Sequence, residues 1–177
     1  MRIKNFCSHY HTSDLREIDW AGLYNSGYRV ILVDIDNTLA KHGAESPDSY
    51  AKATIESIQA AGLRAVVLSN AAGDRAERYA EKLGIDGLGQ AHKPSPRKIL
   101  AKLSELNCPQ SKAMMIGDQI LTDVWAARKA GITSVKVEPR FKEEIITVRL
   151  KRYLEYLLKA FIDLGQDLPR KASAEQK

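Results

Sequence analysis

Short apolar runs and stretches of helical periodicity alternate along this chain of 177 residues. Runs at 29–34, 64–69, 112–117 and 132–137 read as strands, and a weaker segment at 85–91 reads as another. Between them the pattern predicts helices from Asp14 to Asn25, from Pro47 to about Ala61, over 74–83, from Pro96 to about Leu106, and from Leu121 to Ala130. Ser13 stands where a cap would start the first of these, and Pro47 and Pro96 stand where helices open. Gly62, Gly84 and Gly131 stand where helices close. Val30 to Val33 is apolar at every position, as in a strand covered on both faces. The alternation predicts an α/β fold with a three-layer α/β/α arrangement around a parallel sheet.

Ligands of such sheets gather at the carboxyl ends of the strands. The first strong run ends in Asp34, with Asp36 two residues on; the second ends in Ser69-Asn70; the run at 112–117 is followed by Asp118, with Asp123 five further on. Lys93-Pro94 precedes the helix that begins near Ser95. A single aspartate at a strand end commonly caps the next helix. Two acids spaced as D-x-D, followed in order by a hydroxyl and another acid, ask for more than caps, because each buried carboxylate needs a partner.

Phosphoryl transfer through a carboxylate suits the set. Asp34 is the candidate nucleophile, and Asp36 the candidate general acid and base. Ser69, Asn70 and Lys93 are candidate phosphate-binding residues. Backbone N–H groups from Ile35 through Asn37 to Thr38 are candidates for a phosphate cradle. Crowded acids need a divalent cation, and Mg²⁺ favours one or two carboxylates together with water and phosphate oxygens.

Composition adds limits. Apolar residues make up 44% and charged residues 28% of the chain, the proportions of a globular protein. No apolar run is long enough to span a bilayer, and the N-terminus lacks the apolar core of a secretory signal. Cys7 and Cys108 form no framework, which fits a reduced, cytoplasmic setting. The net charge of +5 favours anionic partners, although charge of this size also serves solubility. No zinc-finger spacing or RNA-binding aromatic signature occurs, so no nucleic-acid partner is expected.

The segments DIDNTLA (34–40), LSNA (68–71), HKPSP (92–96) and GDQILTD (117–123) together resemble the four motifs of the haloacid dehalogenase-like phosphatase superfamily, in the superfamily's order. The resemblance covers most of 28–138. It implies a Rossmann-like core, a phosphomonoesterase activity through an aspartyl-phosphate, and a Mg²⁺ cofactor. By position it makes Asp34 nucleophile and metal ligand, places the Asp36 carbonyl on the metal, and makes Asp118 the third protein ligand. Asp123 would orient Lys93 or a metal-bound water. The short 40–47 segment leaves room for a flap and 71–91 for one helix, so the likeness is to capless members with an open site. DIDNTL, LSN, KP and GDQxxTDV look most like the YqeG branch, related to mitochondrial phosphatidylglycerophosphate phosphatases. That likeness makes phosphatidylglycerophosphate one candidate substrate, beside soluble phosphometabolites and phosphoproteins.

The expected organisation is an N-terminal extension (1–28), a catalytic core (29–140), an amphipathic helix (141–164) and a disordered tail (165–177). Residues 146, 150, 153, 154, 157, 158 and 161 form the apolar stripe of that helix, with Arg149, Lys151, Arg152 and Lys159 mostly off it. A helix packed on the sheet is the simpler reading; a helix lying on the inner membrane surface has the same look. A phospho-accepting receiver module is the alternative from another class, although its phosphorylated Asp would sit on a later strand, where this chain has Ser69. The substrate and oligomeric state are open at this level.

Overall fold

The structure, a computed structural model, describes residues 3–141 and 165–171. Its strands form one parallel seven-stranded sheet in the order β4-β3-β2-β5-β6-β1-β7. The strands are β1 (Tyr10–Thr12), β2 (Val30–Val33), β3 (Arg64–Leu68), β4 (Asp86–Leu88), β5 (Ala113–Gly117), β6 (Thr133–Val137) and β7 (Gln166–Asp167). The helices are α1 (Trp20–Asn25), α2 (Ser49–Ala60), α3 (Arg75–Glu81), α4 (Arg97–Glu105) and α5 (Trp125–Ala130).

Side chains alternate between the faces of a strand, and the sheet sorts them into two cores. Ile31, Val33, Ala65, Val67, Met114 and Ile116 pack on one face with α1, α2 and α3, through Leu23, Ile55, Ile58 and Tyr79 among others. Val30, Leu32, Val66, Leu68 and Met115 pack on the other with Ile99 and Leu103 of α4 and the three buried alanines of α5. This division makes the three layers, and it explains why the central strands are apolar at every position. A smaller cluster joins Phe6 to Ile120 and Val124.

From β2 the chain builds outward through β3 to β4, then returns to β2's other side with β5. Val33 is registered with Val67 on one side and with Ile116 on the other. Asp34, Ser69 and Asp118 therefore leave the sheet at one rim, beside the point where the strand order reverses.

The structure differs from the expected elements in three places. The helix expected from Asp14 to Asn25 is two pieces, a 3₁₀ turn at Leu15–Glu17 and α1. Asp14 accepts from the Arg16 N–H and Asp19 from the Gly22 N–H, so each piece has its own cap, and extended Ile18 between them bridges to Arg170. The helix expected from Leu121 begins instead with a wide π turn, Ile120–Val124, before α5. The tail expected to be disordered from 165 contains β7, which pairs with β1, and Leu168, which is 2% exposed within the main core. The N-terminal extension likewise supplies β1 to the sheet. The expected helix at 141–164 lies, from 142 onward, outside the described residues, as does 172–177.

Candidate active site

Asp34 follows the last residue of β2, and its N–H still donates to Ile116 O of β5 at 3.0 Å. Its carboxylate is buried and meets the Lys93 ammonium, with Nζ 2.6 Å from Oδ1. The same Nζ lies 2.7 Å from Asp123 Oδ1 and donates to Leu68 O at 2.9 Å. Two of these contacts are hydrogen bonds, to Asp34 and Leu68 O, and the third is an ion pair. Lys93, expected to bind phosphate, is thus committed to the two acids and a strand-end carbonyl. Burial works against its charge, but Asp123 and Asp34 outweigh it and hold the Lys93 pKa above the usual lysine value. Burial, only partly offset by Lys93, pushes the Asp34 carboxyl well above the ordinary carboxylate range, and Asp123, Asp118 and Asp36 add to the push.

Asp118 follows β5 and is fully buried. Asp34, Asp118 and Asp123 offer carboxylate oxygens within 4.8 Å of one another. The π turn brings Asp123 into this group: its backbone N–H donates to Gln119 O, and its Oδ2 accepts from the Gln119 N–H at 3.1 Å. π turns of this kind recur at functional sites.

Ser69 is buried beyond the end of β3. Its Oγ accepts from the Ala71 N–H at 3.1 Å, which leaves the hydroxyl hydrogen to donate. Asn70, expected to bind phosphate, lines the cleft but spends its side chain on the Lys93 main chain: Oδ1 accepts from Lys93 N–H at 2.7 Å and Nδ2 donates to Lys93 O at 3.1 Å. It braces the loop that carries the lysine.

Residues 35–40 form a tight turn after β2. Asn37 takes a positive φ of 60°, its N–H donates to Ala40 O, and Thr38 N–H donates to Ile35 O. The cradle expected across Ile35–Thr38 loses these two donors. Arg140 holds the turn from outside, through its N–H on Asn37 O and its guanidinium on Leu39 O and Asp48.

Asp36 points into a different network. Arg75 Nη2 approaches Asp36 Oδ2 at 2.5 Å, the Gly43 N–H donates to Oδ1 at 2.9 Å, and His42 Nδ1 lies 3.6 Å away. Arg75 Nη1 also donates to Ala44 O. Farther along the same helix face, Arg78 reaches the Glu45 carboxylate and Lys82 reaches Glu45 O and Ser46 Oγ. The spacing of three and four residues puts these cations on one side, and together they fasten the 41–48 flap. Arg75, His42 and Gly43 were not among the residues expected from sequence. R-x-x-R-x-x-x-K was visible in the chain, but nothing local indicated that the flap would lie against it.

These groups surround a cleft of about 490 Å³ whose lining includes Asp34, Asp36, Ser69, Arg75, Lys93 and Asp123. Cys7, His9 and His11 lie close together in the sequence, but the two histidines have separate partners: His9 Nδ1 is bound to Ser134 and His11 Nε2 to Asp167. Among the described residues, no helix is long and apolar enough to cross a membrane.

A parallel α/β sheet with an acidic cluster at the carboxyl rim of its central strands is the frame of a hydrolase family. Residues 21–131 match haloacid dehalogenase-like hydrolases, and the chain belongs to that family. It is 31% identical over 140 residues to the chloroplastic phosphatidylglycerophosphate phosphatase 1 of Chlamydomonas reinhardtii, covering 74% of this chain and 52% of that one. It is 26% identical over 125 residues to the probable phosphatase YqeG of Bacillus subtilis, covering 71% and 73%. Phosphatidylglycerophosphate phosphatase 1, chloroplastic/mitochondrial, of Arabidopsis thaliana is 30% identical over 168 residues, covering 89% and 48%. The chain thus spans about half the length of the algal and plant relatives. An uncharacterized protein from Listeria monocytogenes shares the fold, with a TM-score of 0.52 at 17% identity over 74% of this chain and 99% of that one. A hypothetical protein from Xanthomonas campestris does so at 0.52 and 18% identity, over 70% and 72%.

Proposed function

We propose that this chain is a phosphomonoesterase that works through an aspartyl-phosphate on Asp34. One observation carries the reading: Lys93 bridges Asp34 and Asp123 inside a buried acidic cluster at the rim of the sheet. Lys93 holds Asp34 by Oδ1, and the other carboxylate oxygen, Oδ2, is the one that attacks phosphorus.

The cluster fits a hard divalent cation. Three buried carboxylates bring their oxygens within 4.8 Å of one another, a crowding that a divalent cation relieves, and an all-oxygen donor set suits Mg²⁺. Asp34 and Asp118, with the Asp36 carbonyl, would hold the ion. When bound, Mg²⁺ supplies charge neutralisation to the carboxylates and to the phosphoryl oxygens.

Asp34 Oδ2 forms a bond to phosphorus as the bond from phosphorus to the leaving oxygen breaks, and Asp36 gives its proton to that oxygen. Asp36 then takes a proton from water as the water oxygen bonds to phosphorus. The acyl-phosphate bond breaks, inorganic phosphate leaves and Asp34 is restored. The Ser69 hydroxyl donates to a phosphoryl oxygen throughout.

The names of the curated relatives favour phosphatidylglycerophosphate as substrate, and the half-length coverage makes this a proposal for the chain. Phosphate release from phosphatidylglycerophosphate in micelles, compared with soluble phosphomonoesters, tests both levels. Release that needs Mg²⁺ and vanishes in Asp34→Asn supports the reaction. Undiminished release by Asp34→Asn contradicts it, and release only from soluble esters contradicts the lipid assignment.

A further inference from the structure

Two residues with a fixed positive charge line the cleft among the described residues, Lys93 and Arg75. They are not equivalent. Lys93 donates to Asp34 and to Leu68 O and is ion-paired with Asp123. Arg75 commits two of the five N–H bonds of a guanidinium, one to Asp36 and one to Ala44 O. Its side chain is 12% exposed and lines the cleft, where a charge-assisted hydrogen bond is strong. Its anchors are fixed as well. Asp36 is also held by the Gly43 N–H, and the Arg78 and Lys82 contacts fasten the flap beside Ala44.

The cleft therefore has one cation held between two acids beside the nucleophile and a second, with donors to spare, beside the residue assigned to protonate the leaving oxygen. A cation in that position faces the leaving group. We infer that Arg75 is a specificity-determining residue, which receives a second anionic group carried by the leaving alcohol of the substrate. The substrate class is a phosphate monoester whose alcohol bears a phosphodiester or another phosphate. This inference rests on the proposed phosphatase reading and assigns to Arg75 the recognition of the leaving group.

A matched series of soluble substrates tests it: glycerol 3-phosphate, whose leaving alcohol is neutral; glycerophosphoglycerophosphate, the same ester carrying a phosphodiester; and 1,3-propanediol bisphosphate, carrying a second phosphate. The full chain with Mg²⁺ should prefer one or both of the substrates that carry a second anionic group over glycerol 3-phosphate. Arg75→Met should shrink that preference, as a ratio of kcat/KM values, by about tenfold to a hundredfold, the range for a lost charge-assisted bond. Arg75→Lys should restore part of it. Which substrate loses more identifies the diester or the phosphate as the group recognised. If Arg75→Met lowers all three substrates by one common factor, Arg75 acts through Asp36 alone and the inference is wrong; a wild-type enzyme without preference overturns it equally. Calorimetric binding of glycerophosphoglycerophosphate in the Asp34→Asn background, with and without Arg75→Met, gives a readout free of turnover. Equal affinities there overturn the Arg75 role, whereas absence of turnover by the wild type with affinities that differ overturns the phosphatase reading alone.

Discussion

A methyl group on Gly117 would lie 2.3 Å from Cγ of Asp123 and 2.5 Å from its Cβ. The last residue of β5 thus has no side chain because the Asp123 carboxylate occupies that space on its way to Lys93. Gly117→Ala must displace Asp123, and with it one of the three contacts that hold the Lys93 ammonium. We expect kcat to fall at least tenfold, with the far-ultraviolet circular dichroism spectrum retained. Parental activity in this variant would mean that Asp123 does not position Lys93.

Asn70 braces the Lys93 main chain through both its N–H and its carbonyl. Asn70→Ala removes two hydrogen bonds, each worth about 1 kcal/mol, and loosens the loop. The expected result is a several-fold to hundredfold drop in kcat with a smaller change in KM, since the residue holds the lysine and not the substrate. A rise in KM alone, read from steady-state kinetics, would return Asn70 to phosphate binding.

Leu168 tests whether the C-terminal strand belongs to the fold. Its side chain is buried in the main core, so Leu168→Ala should destabilise the protein by about 2–5 kcal/mol. Urea unfolding monitored by tryptophan fluorescence measures this directly. A change below about 0.5 kcal/mol, the scale of a surface substitution, would show that residues 165–171 are not packed as described.

Asp48 caps α2 by accepting from the Ala51 N–H and pairs with Arg140. Partial burial works against its charge, but the Ala51 N–H and Arg140 outweigh burial and hold its carboxyl below the ordinary range. A depressed carboxyl pKa contributes stability that is present above the unfolded value, about 3.9, and is lost as pH falls through the folded value. Asp48→Asn keeps a good cap and loses the charge. The stability gap between parent and variant should therefore be present at neutral pH and close as pH drops below about 4. The carboxyl is half exposed, so the gap stays within about 1 kcal/mol. A gap that widens on acidification would contradict the pairing.

The rim of acids was legible because apolar runs in a doubly covered sheet have an unmistakable end, and Asp34, Ser69 and Asp118 sit just past such ends. β1 and β7 were not legible. With three and two residues they carry too little period to register; β1 is half-buried to buried and β7 exposed. The π turn at Ile120–Val124 has the apolar spacing of an ordinary helix, so only its consequence, Asp123 folded back on Gly117, reveals it. The motifs pointed to Lys93 and Asn70, which line the cleft, but not to their partners, because a side chain's hydrogen bonds depend on loops that cross from other strands. Arg75 was invisible for the same reason: its role exists only once the 41–48 flap lies against α3.

The central claim is that one carboxylate, that of Asp34, takes the phosphoryl group. Reaction with para-nitrophenyl phosphate and Mg²⁺, quenched within the first turnover and reduced with borohydride, converts an aspartyl-phosphate to homoserine that peptide mass spectrometry locates. The account predicts homoserine at position 34, and its loss when Lys93 is replaced by Met. Homoserine at any other aspartate, or phosphate release without any reduced residue, contradicts it.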